Sequence, residues 1–367
     1  MPPLAGLRIV EVEGLGPAPF AAMMLAEMGA EVIVIHRKGG TPPPGLEAGN
    51  PLDRGKRSIA LDLKDAGDAG FARRLIGTAD GLIEGFRPGV MERLGLGPEV
   101  LRADTPRLVY GRMTGWGQDG PRAARAGHDL NYLSLSGALH YAGLPGDAPF
   151  PPPTLLGDIG GGALYLVAGM LSGLLQAQRT GEGCVVDAAI VDGAAHMMGL
   201  LASLPLSMTR GQSLLDGPHW SRAYASADGR FVTVQCLEPK FYALFLERMG
   251  LEGDAEFAEG QFDRAAWPGL SARLAEIFAG APQAHWAKLF EGSDACVAPV
   301  LSPEEAARDP HMAARGSWRV RDGRPEPAPA PRFGPVPDGL PIPGRDGDGA
   351  ALRAEIDGSD PDGALPN

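Results

Sequence analysis

The chain has 367 residues, of which 44% are hydrophobic, 53 are glycine and 35 are proline. This length and hydrophobic content are enough for two folded domains or for one large one. The net charge of −12 disfavours nonspecific binding to nucleic acids or to anionic membranes, because those surfaces repel an acidic protein. A local basic site for an anionic ligand is compatible with this charge.

The cysteines and the N-terminal residues favour a reducing compartment. Cys184, Cys236 and Cys296 lie far apart, so they form neither a metal-binding motif nor a disulfide framework. The first residues lack the charged and apolar regions of a signal peptide. The longest uncharged stretch, 159–178, contains several glycines and indicates a buried helix rather than a membrane span. We therefore expect a cytoplasmic protein without a membrane-spanning helix.

The first 200 residues alternate between strand and helix patterns. A strand at 7–12, a glycine turn, an apolar helix at 19–28 and a strand at 31–36 follow one another. This βαβ order predicts an α/β fold with a doubly wound parallel sheet. The glycine turn between the first strand and helix lacks the third glycine of a dinucleotide fingerprint, so a nicotinamide site is a minor alternative. Further elements of the same pattern are predicted as strands at 81–84, 108–113 and 185–188 and as helices at 65–78, 158–180 and 192–202.

The second half of the chain has a different composition. Prolines and glycines at 203–222 indicate a linker. A hairpin that turns at Ala227-Asp228-Gly229, followed by three helices, predicts a smaller α+β domain at 223–310. Residues 311–367 are expected to form a return linker and a tail rich in Pro and Gly. Within this range, the segment from about residue 325 to residue 350 should rejoin the large domain, which otherwise spans 1–202.

Two short stretches offer groups that can carry protons. His128 and Asp129 follow a glycine just before an apolar run, and Asp158 stands before Ile159 and three glycines at a helix start. Each has an ordinary structural explanation, because both aspartates are suited to cap helices and His128 could be a hydrogen-bonded loop residue. As a pair, His128 and Asp158 could be the two acid/base residues of one active site. Glu238, taken alone, is explained as a charge that favours a helix N-terminus.

Basic residues are concentrated in the first 95 residues of this acidic protein, several of them where βα loops should lie. They are either ordinary surface charges or a phosphate clamp for a nucleotide-bearing ligand. The residues in question are Arg37, Arg54, Lys56, Arg57, Lys64, Arg87 and Arg93.

Stretches along most of the chain resemble the α-methylacyl-CoA racemases, a branch of the family III CoA transferases. The similarity weakens at 203–223 and beyond 320. The matching stretches include 7–11, 29–33, 54–64, 83–90, 92–97, 110–121, 127–134, 157–162, 181–191, 238–242 and 293–301.

The resemblance implies a Rossmann-like large domain that binds CoA, a small α+β domain and an interlocked homodimer. His128 and Asp158 match the family's two acid/base residues, and Glu238 matches a glutamate that pairs with the aspartate across the subunit interface. Positions that contact CoA in the family match Arg37, Leu61, Asp62, Leu63, Lys64, Gly85, Phe86, Arg87, Arg93, Gly127, Asp129, Leu130, Asn131 and Tyr132.

The family contains two chemistries, and the Gly127-His128-Asp129 stretch favours one of them. In the transferases, the aspartate that matches Asp158 is a nucleophile that forms acyl anhydrides, and a histidine in this context is not expected. We therefore expect a racemase that moves the α-proton of a 2-methylacyl-CoA through an enolate, with a CoA transferase as the alternative. Backbone N–H groups of Ile159 and Gly160 are candidate donors to the enolate oxygen. The reaction needs neither a metal nor a cofactor beyond the CoA of the substrate.

Overall fold

Alternating strands and helices in the first half of the chain build a parallel sheet, which confirms the predicted fold class. The computed structural model describes residues 1–41, 46, 49–204, 209–334 and 339–358. Its main sheet consists of β1 (Arg8–Val12), β2 (Glu31–Arg37), β3 (Arg57–Leu61), β4 (Gly81–Glu84), β5 (Val109–Thr114) and β6 (Val185–Ala189). The strands pair in the order β3-β2-β1-β4-β5-β6, and every pairing is parallel.

Helices cover both faces of this sheet, as continuous apolar strands require. On one face, Ile9 and Val109 pack with residues of α1 (Pro17–Glu27) and α6 (Leu164–Thr180). On the other, Ile33 and Ile59 pack with residues of α2 (Ala66–Gly77) and α14 (Gly349–Gly358). The helices of this part of the chain are α1 (Pro17–Glu27), α2 (Ala66–Gly77), α3 (Val90–Arg93), α4 (Pro98–Asp104), α5 (Asp129–Ser136), α6 (Leu164–Thr180), α7 (Ile190–Ala202) and α14 (Gly349–Gly358). Short 3₁₀ helices occupy Pro51–Asp53 and Ala138–Tyr141.

The chain divides into two units whose boundaries differ from the predicted ones. Among the described residues, the first unit comprises those within 1–139, 151–197 and 329–358, and the second comprises those within 140–150 and 198–328. The stretch at 203–222 was expected to be a linker, but its described part from Thr209 onwards belongs to the second unit, where Trp220 is fully buried. Residues 205–208 lie outside the described residues. The chain rejoins the first unit only at Pro329, so residues 311–328 are not a return linker either.

The second unit is an α+β structure with its own aromatic core. Trp220, Phe245, Phe257 and Phe278 are buried there. The predicted hairpin is present, because β7 (Ser221–Ala225) and β8 (Phe231–Gln235) pair antiparallel, and β9 (Val297–Pro299) adds a third strand. The remaining elements are α8 (Pro239–Met249), α9 (Ala255–Gly260), α10 (Trp267–Phe278), α11 (Gln283–Phe290), α12 (Pro303–Ala306), α13 (Pro310–Ala314) and the antiparallel pair β10 (Trp318–Arg321) and β11 (Arg324–Pro327).

Residues 341–348 return to the first unit and cover the outer edge of β3. The N–H groups of Ser58 and Ala60 donate to the carboxylates of Asp348 (3.0 Å) and Asp346 (2.8 Å). An uncovered edge strand is a template for unwanted pairing, so these carboxylates protect the sheet. The same segment continues towards the carboxyl ends of the strands.

The helical run Leu155–Thr180 is the only one in the described residues that is long and apolar enough to span a membrane. Leu166, Val167, Met170 and Leu174 of this run lie in the core beside the sheet. This packing is that of a core helix, in agreement with the prediction of a buried helix for 159–178.

Candidate active site

A large cavity opens at the carboxyl ends of β1 and β4, where the strand order changes direction. Open α/β sheets bind ligands at this place. The cavity has a volume of about 1150 Å³, which is large for a small-molecule pocket and therefore suits a long ligand. Its lining comes from the loops after β1, β2, β4 and β5, from the start of α5, from Asp158 and from residues 342–345.

His128 and Asp158 both line this cavity, although they are 30 residues apart in the sequence. Helix α5 begins at Asp129, so His128 occupies the N-cap position and Asp129 is already helical. The backbone N–H of His128 donates to Asn131 Oδ1 at 3.1 Å, which fixes the turn into the helix. The side chain of His128 is exposed to the cavity and lies close enough to Asp158 to affect its pKa.

Asp158 lies inside a π-helix and not at a helix N-cap, which corrects the structural explanation offered by the sequence. The π-helix spans Leu155–Ala163 and continues directly into α6. It begins after Thr154, whose φ of 62° is left-handed, an uncommon conformation for a residue other than glycine. Single-turn π-helices occur frequently at functional sites, because the wider turn changes where a side chain points.

Asp129 is a buried carboxylate that contacts the backbone of Asp158. Its side chain is buried, and its Oδ1 accepts a hydrogen bond from the Asp158 N–H at 2.9 Å. Burial raises the pKa of Asp158 to about 6, and the neighbouring charge of Asp129 adds to this increase, whereas His128 opposes it. A carboxyl group with this pKa can exchange a proton near neutral pH.

The glycines after Asp158 serve packing, and Ile159 uses its N–H within the helix. A Cβ on Gly161 would lie 2.7 Å from Ala194 N, and one on Gly193 would lie 1.9 Å from Gly161 O. The glycines therefore let the π-helix and α7 touch backbone to backbone. The Ile159 N–H donates to Thr154 O at 3.0 Å, and neither Ile159 nor Gly160 lines the cavity, so the predicted oxyanion role for Ile159 is wrong in this conformation.

Aromatic residues form the wall beside His128. The rings of Trp116 and Tyr132 meet edge to face with 4.8 Å between their centroids, and the Tyr132 hydroxyl donates to Gly127 O. A Cβ on Gly115 or on Gly127 would overlap the Tyr132 ring. These two positions therefore require glycine for the wall to close.

The predicted CoA-contacting residues divide into two groups. The residues that line the cavity are Arg37, Gly85, Phe86, Arg87, Gly127 and Tyr132. Those that the structure places outside this lining are Leu61, Asp62, Leu63, Lys64, Arg93, Asp129, Leu130 and Asn131.

Three of the basic residues proposed as a phosphate clamp are instead committed to ion pairs inside the protein. Arg54 pairs with Glu27 at 2.7 Å. Lys56 pairs with Glu11 and Asp53, and Arg57 pairs with Glu31 and Glu355. The cavity cations from that group are therefore Arg37 and Arg87.

A group of charged residues in the cavity was missed by the sequence analysis. Glu13, His36, Asp53 and Arg345 all line it. His36 has no acidic neighbour in the sequence, yet its ring lies 3.2 Å from Glu13 Oε1 and 3.7 Å from Asp53 Oδ2. The alternation of Glu11 and Glu13 at the end of the first strand was the available signal, since the carboxyl end of a strand is where a ligand site lies.

Glu238 belongs to the second unit and lies at the N-cap position of α8. Its side chain is exposed and makes no helix-capping hydrogen bond. Its carboxylate contributes to the raised pKa of Cys296, after burial of that thiol. The carboxylate that adds to the raised pKa of Asp158 is Asp129.

Comparisons with known proteins agree on one family. The sequence profile of CoA-transferase family III matches residues 4–345. The chain is 44% identical to an alpha-methylacyl-CoA racemase of Mus musculus over 91% of this chain and 87% of the relative. It is 30% identical to an acetyl-CoA:oxalate CoA-transferase of Acetobacter aceti over 96% of both. The fold is similar to that of a CAIB/BAIF family protein from Brucella suis, with a TM-score of 0.80, 27% identity and coverage of 96% of this chain and 99% of that one.

Proposed function

The chain belongs to CoA-transferase family III, and from this membership we propose that it interconverts the (R) and (S) forms of 2-methylacyl-CoA thioesters. The observation that carries the proposal is the presence of His128 and Asp158 in one cavity. The higher identity to a racemase than to a transferase supports the same choice. The name of the racemase relative provides the 2-methylacyl substrate class.

Racemisation at the α-carbon of a thioester requires a base on one side and an acid on the other. An unprotonated imidazole of His128 removes the α-proton of one enantiomer, and the electron pair moves onto the thioester oxygen as an enolate. A protonated Asp158 returns a proton to the opposite face of the carbon, and the bond to oxygen reverts to a carbonyl. In the other direction the two residues exchange roles. The net reaction moves protons only, so it needs no redox cofactor.

The raised pKa of Asp158 suits this task. With a pKa of about 6, roughly a tenth of the Asp158 carboxyl groups are protonated at pH 7, whereas an ordinary aspartate would be almost fully ionised. The two working states, neutral His128 with protonated Asp158 and protonated His128 with ionised Asp158, carry the same number of protons. We therefore expect one bell-shaped pH profile for both enantiomers, measured as kcat/KM.

The enolate oxygen needs a positive environment in the cavity. His128 lines the cavity and is the N-cap of α5, so the partial positive charge of this helix N-terminus favours an anion that forms beside His128. The Ile159 N–H donates within the π-helix instead.

We also propose that the enzyme is an interlocked homodimer in which Glu238 of one subunit shares a proton with Asp158 of the other. This part of the proposal derives from the family resemblance. Large exposed apolar side chains along one helical run, Leu155, Leu164 and Leu175, support a partner that covers them. The free thiols of Cys184, Cys236 and Cys296 support a reducing compartment, for which we propose the cytoplasm.

Hydrogen exchange in D₂O tests the reaction. A racemase should replace the α-hydrogen of both enantiomers of a 2-methylacyl-CoA with deuterium, and His128→Ala should slow this exchange by about 10²- to 10⁴-fold. A panel of branched fatty acyl, sterol side-chain and aryl-propionyl thioesters then ranks the acyl group. Absence of exchange with every member of the panel would contradict the proposal.

The alternative is a CoA transferase that uses Asp158 as nucleophile. It predicts that hydroxylamine traps an acyl group linked to Asp158 and that His128→Ala keeps full activity. It also predicts that a second carboxylic acid accepts CoA from the thioester. A chain that exchanges the α-hydrogen but forms no trapped acyl adduct is a racemase.

A further inference from the structure

Glu13 ties three segments of the chain together at one end of the cavity. Its two carboxylate oxygens accept hydrogen bonds from the guanidinium of Arg345 at 2.5 and 2.8 Å. The Arg37 N–H donates to the same carboxylate at 2.8 Å, and Arg345 also donates to Arg37 O at 3.3 Å. The loop after β1, the end of β2 and the C-terminal segment therefore meet at one ion pair.

The buried ring of His36 contacts the Glu13 carboxylate. Its ring is nearly inaccessible, with 3% of the residue exposed, and it lies between Glu13 and Asp53. Burial would raise the pKa of Glu13, but the neighbouring His36, the Arg345 guanidinium and the Arg37 N–H hold it well below its usual range. Glu13 is therefore ionised over the whole working pH range, so its pairing with Arg345 does not depend on pH in that range.

This ion pair holds a wall of the cavity. Residues 342–345 line the cavity. Two hydrogen bonds fix the backbone around them. The Gly55 N–H donates to Pro341 O at 2.8 Å, and the Ser58 hydroxyl donates to Gly344 O at 2.5 Å. The Arg345 side chain is the next anchor, and it is only 27% exposed. A bidentate pair that is partly withdrawn from water orients its partners more strongly than an open surface pair does.

The position of this wall indicates which part of the ligand it meets. His128 and Asp158 fix the place of the thioester, so the rest of the CoA must extend through the remainder of the cavity. The ends of β1 and β2 are where nucleotide ribose and phosphates bind in sheets of this strand order. The wall at 342–345 stands at these ends, beside Arg37.

We propose that Glu13, His36 and Arg345 are positioning residues that hold 342–345 as the wall for the nucleotide half of CoA. They set the affinity for the CoA portion of the substrate and take no part in proton transfer. This inference rests on the proposed use of a CoA thioester. We therefore expect substitutions at these residues to raise KM and to leave kcat nearly unchanged, whereas a general loss of structure would lower kcat as well.

The test compares a full and a truncated substrate. Arg345→Met and Glu13→Gln should each raise the KM for the acyl-CoA by about tenfold and leave kcat for deuterium exchange within about twofold. The KM for the same acyl group on N-acetylcysteamine, which lacks the nucleotide, should not change. Arg345→Lys keeps the charge but loses the bidentate fork, so it should restore part of the affinity.

Arg57→Met is the matched control. Arg57 also binds the C-terminal part of the chain, through Glu355, but does not line the cavity. The KM of the Arg57→Met variant for the acyl-CoA should equal that of the wild type. The proposal is wrong if Arg57→Met raises the KM as much as Arg345→Met, if both substrates are affected equally, or if Arg345→Met leaves the KM for acyl-CoA unchanged.

Calorimetric titration with free CoA separates this proposal from the proposed reaction. If the wild type binds CoA but exchanges no α-hydrogen, the racemase proposal fails, and weaker CoA binding by Arg345→Met still supports the wall. If Arg345→Met binds free CoA as tightly as the wild type does, the wall proposal fails whatever the reaction is.

Discussion

Asp129 is a buried carboxylate whose charge adds to the increase in the Asp158 pKa that burial causes. Its carboxylate accepts the Asp158 N–H and lies close enough to raise the Asp158 pKa. The same residue therefore provides both a hydrogen bond that holds the Asp158 backbone and a negative charge that keeps a proton on the site. A like charge at this range favours the protonated form of Asp158.

The Asp129→Asn variant separates the effect of the Asp129 charge from that of its hydrogen bond with the Asp158 N–H. Asparagine keeps an oxygen for the Asp158 N–H but removes the negative charge, so the pKa of Asp158 should fall. The alkaline limb of the pH profile for deuterium exchange, where Asp158 loses its proton, should therefore move to lower pH by roughly half to one unit. Relative to the wild type, the variant should be slower at alkaline pH.

Asp129→Ala is the companion variant, since it removes the hydrogen bond as well. It should show the same displacement of the profile together with a lower maximum. An Asp129→Asn profile that coincides with that of the wild type would mean that burial alone sets the pKa of Asp158.

The sequence was sufficient to propose His128 and Asp158 as a pair, but not to predict the contact between Asp129 and the Asp158 backbone. In the sequence, Asp129 resembles a helix cap, because capping aspartates commonly precede apolar runs. Only the fold reveals that His128 takes the cap position and that Asp129 faces the backbone of Asp158, 29 residues away. Glu13 and Arg345 were hidden for the same reason, since 332 positions separate the two partners.

At the level of elements, the contact between the π-helix and α7 determines where Asp158 stands. The two helices approach so closely that glycine is needed on both sides, at Gly161 and Gly193. Strands and helices of the βα pattern were predictable from hydrophobic periodicity, and their bounds differ from the prediction by one to three residues at most ends. A π-helix has no such periodic signature, because its extra residue per turn depends on packing against neighbouring elements.

Gly193→Ala should destabilise the first unit and displace Asp158. The added methyl group would overlap Gly161 O, so we expect a loss of about 3 kcal/mol in the free energy of unfolding, measured with urea. Deuterium exchange should fall as well, because the π-helix must shift to make room.

Gly199→Ala on the same helix provides the control. No atom lies within 4 Å of the position that its Cβ would take, so alanine should stabilise the helix by up to about 1 kcal/mol. Equal effects of the two substitutions would show that helix propensity, and not the close contact, determines the outcome.

At the scale of the whole molecule, the assembly decides whether Glu238 can serve the site of another subunit. The proposal of an interlocked dimer places Glu238 and Asp158 of one active site on different chains. In such a dimer, two chains with different substitutions together retain one intact active site, whereas sites built within one chain would all remain defective.

Mixing two inactive variants tests this arrangement. Asp158→Asn and Glu238→Gln chains, unfolded together and refolded at equal amounts, should recover about a quarter of the wild-type exchange activity, because half of the dimers are mixed and each has one intact site. If Glu238 serves Asp158 of its own chain, every site in a mixed dimer carries one defect and activity stays at the level of the separate variants. Sedimentation of the mixture confirms that dimers have formed.

The ion pair between Glu13 and Arg345 also affects when the first unit can finish folding during synthesis of the chain. The first strand leaves the ribosome long before residue 345, and during that interval the edge of β3 and one wall of the cavity have no cover. The first unit can therefore reach its final form only after the second unit has been synthesised, and a chain that stops before Pro341 has an open sheet edge. Such a shortened chain would be exposed to proteolysis and to aggregation, so the proposed wall forms only after residue 345 has been synthesised.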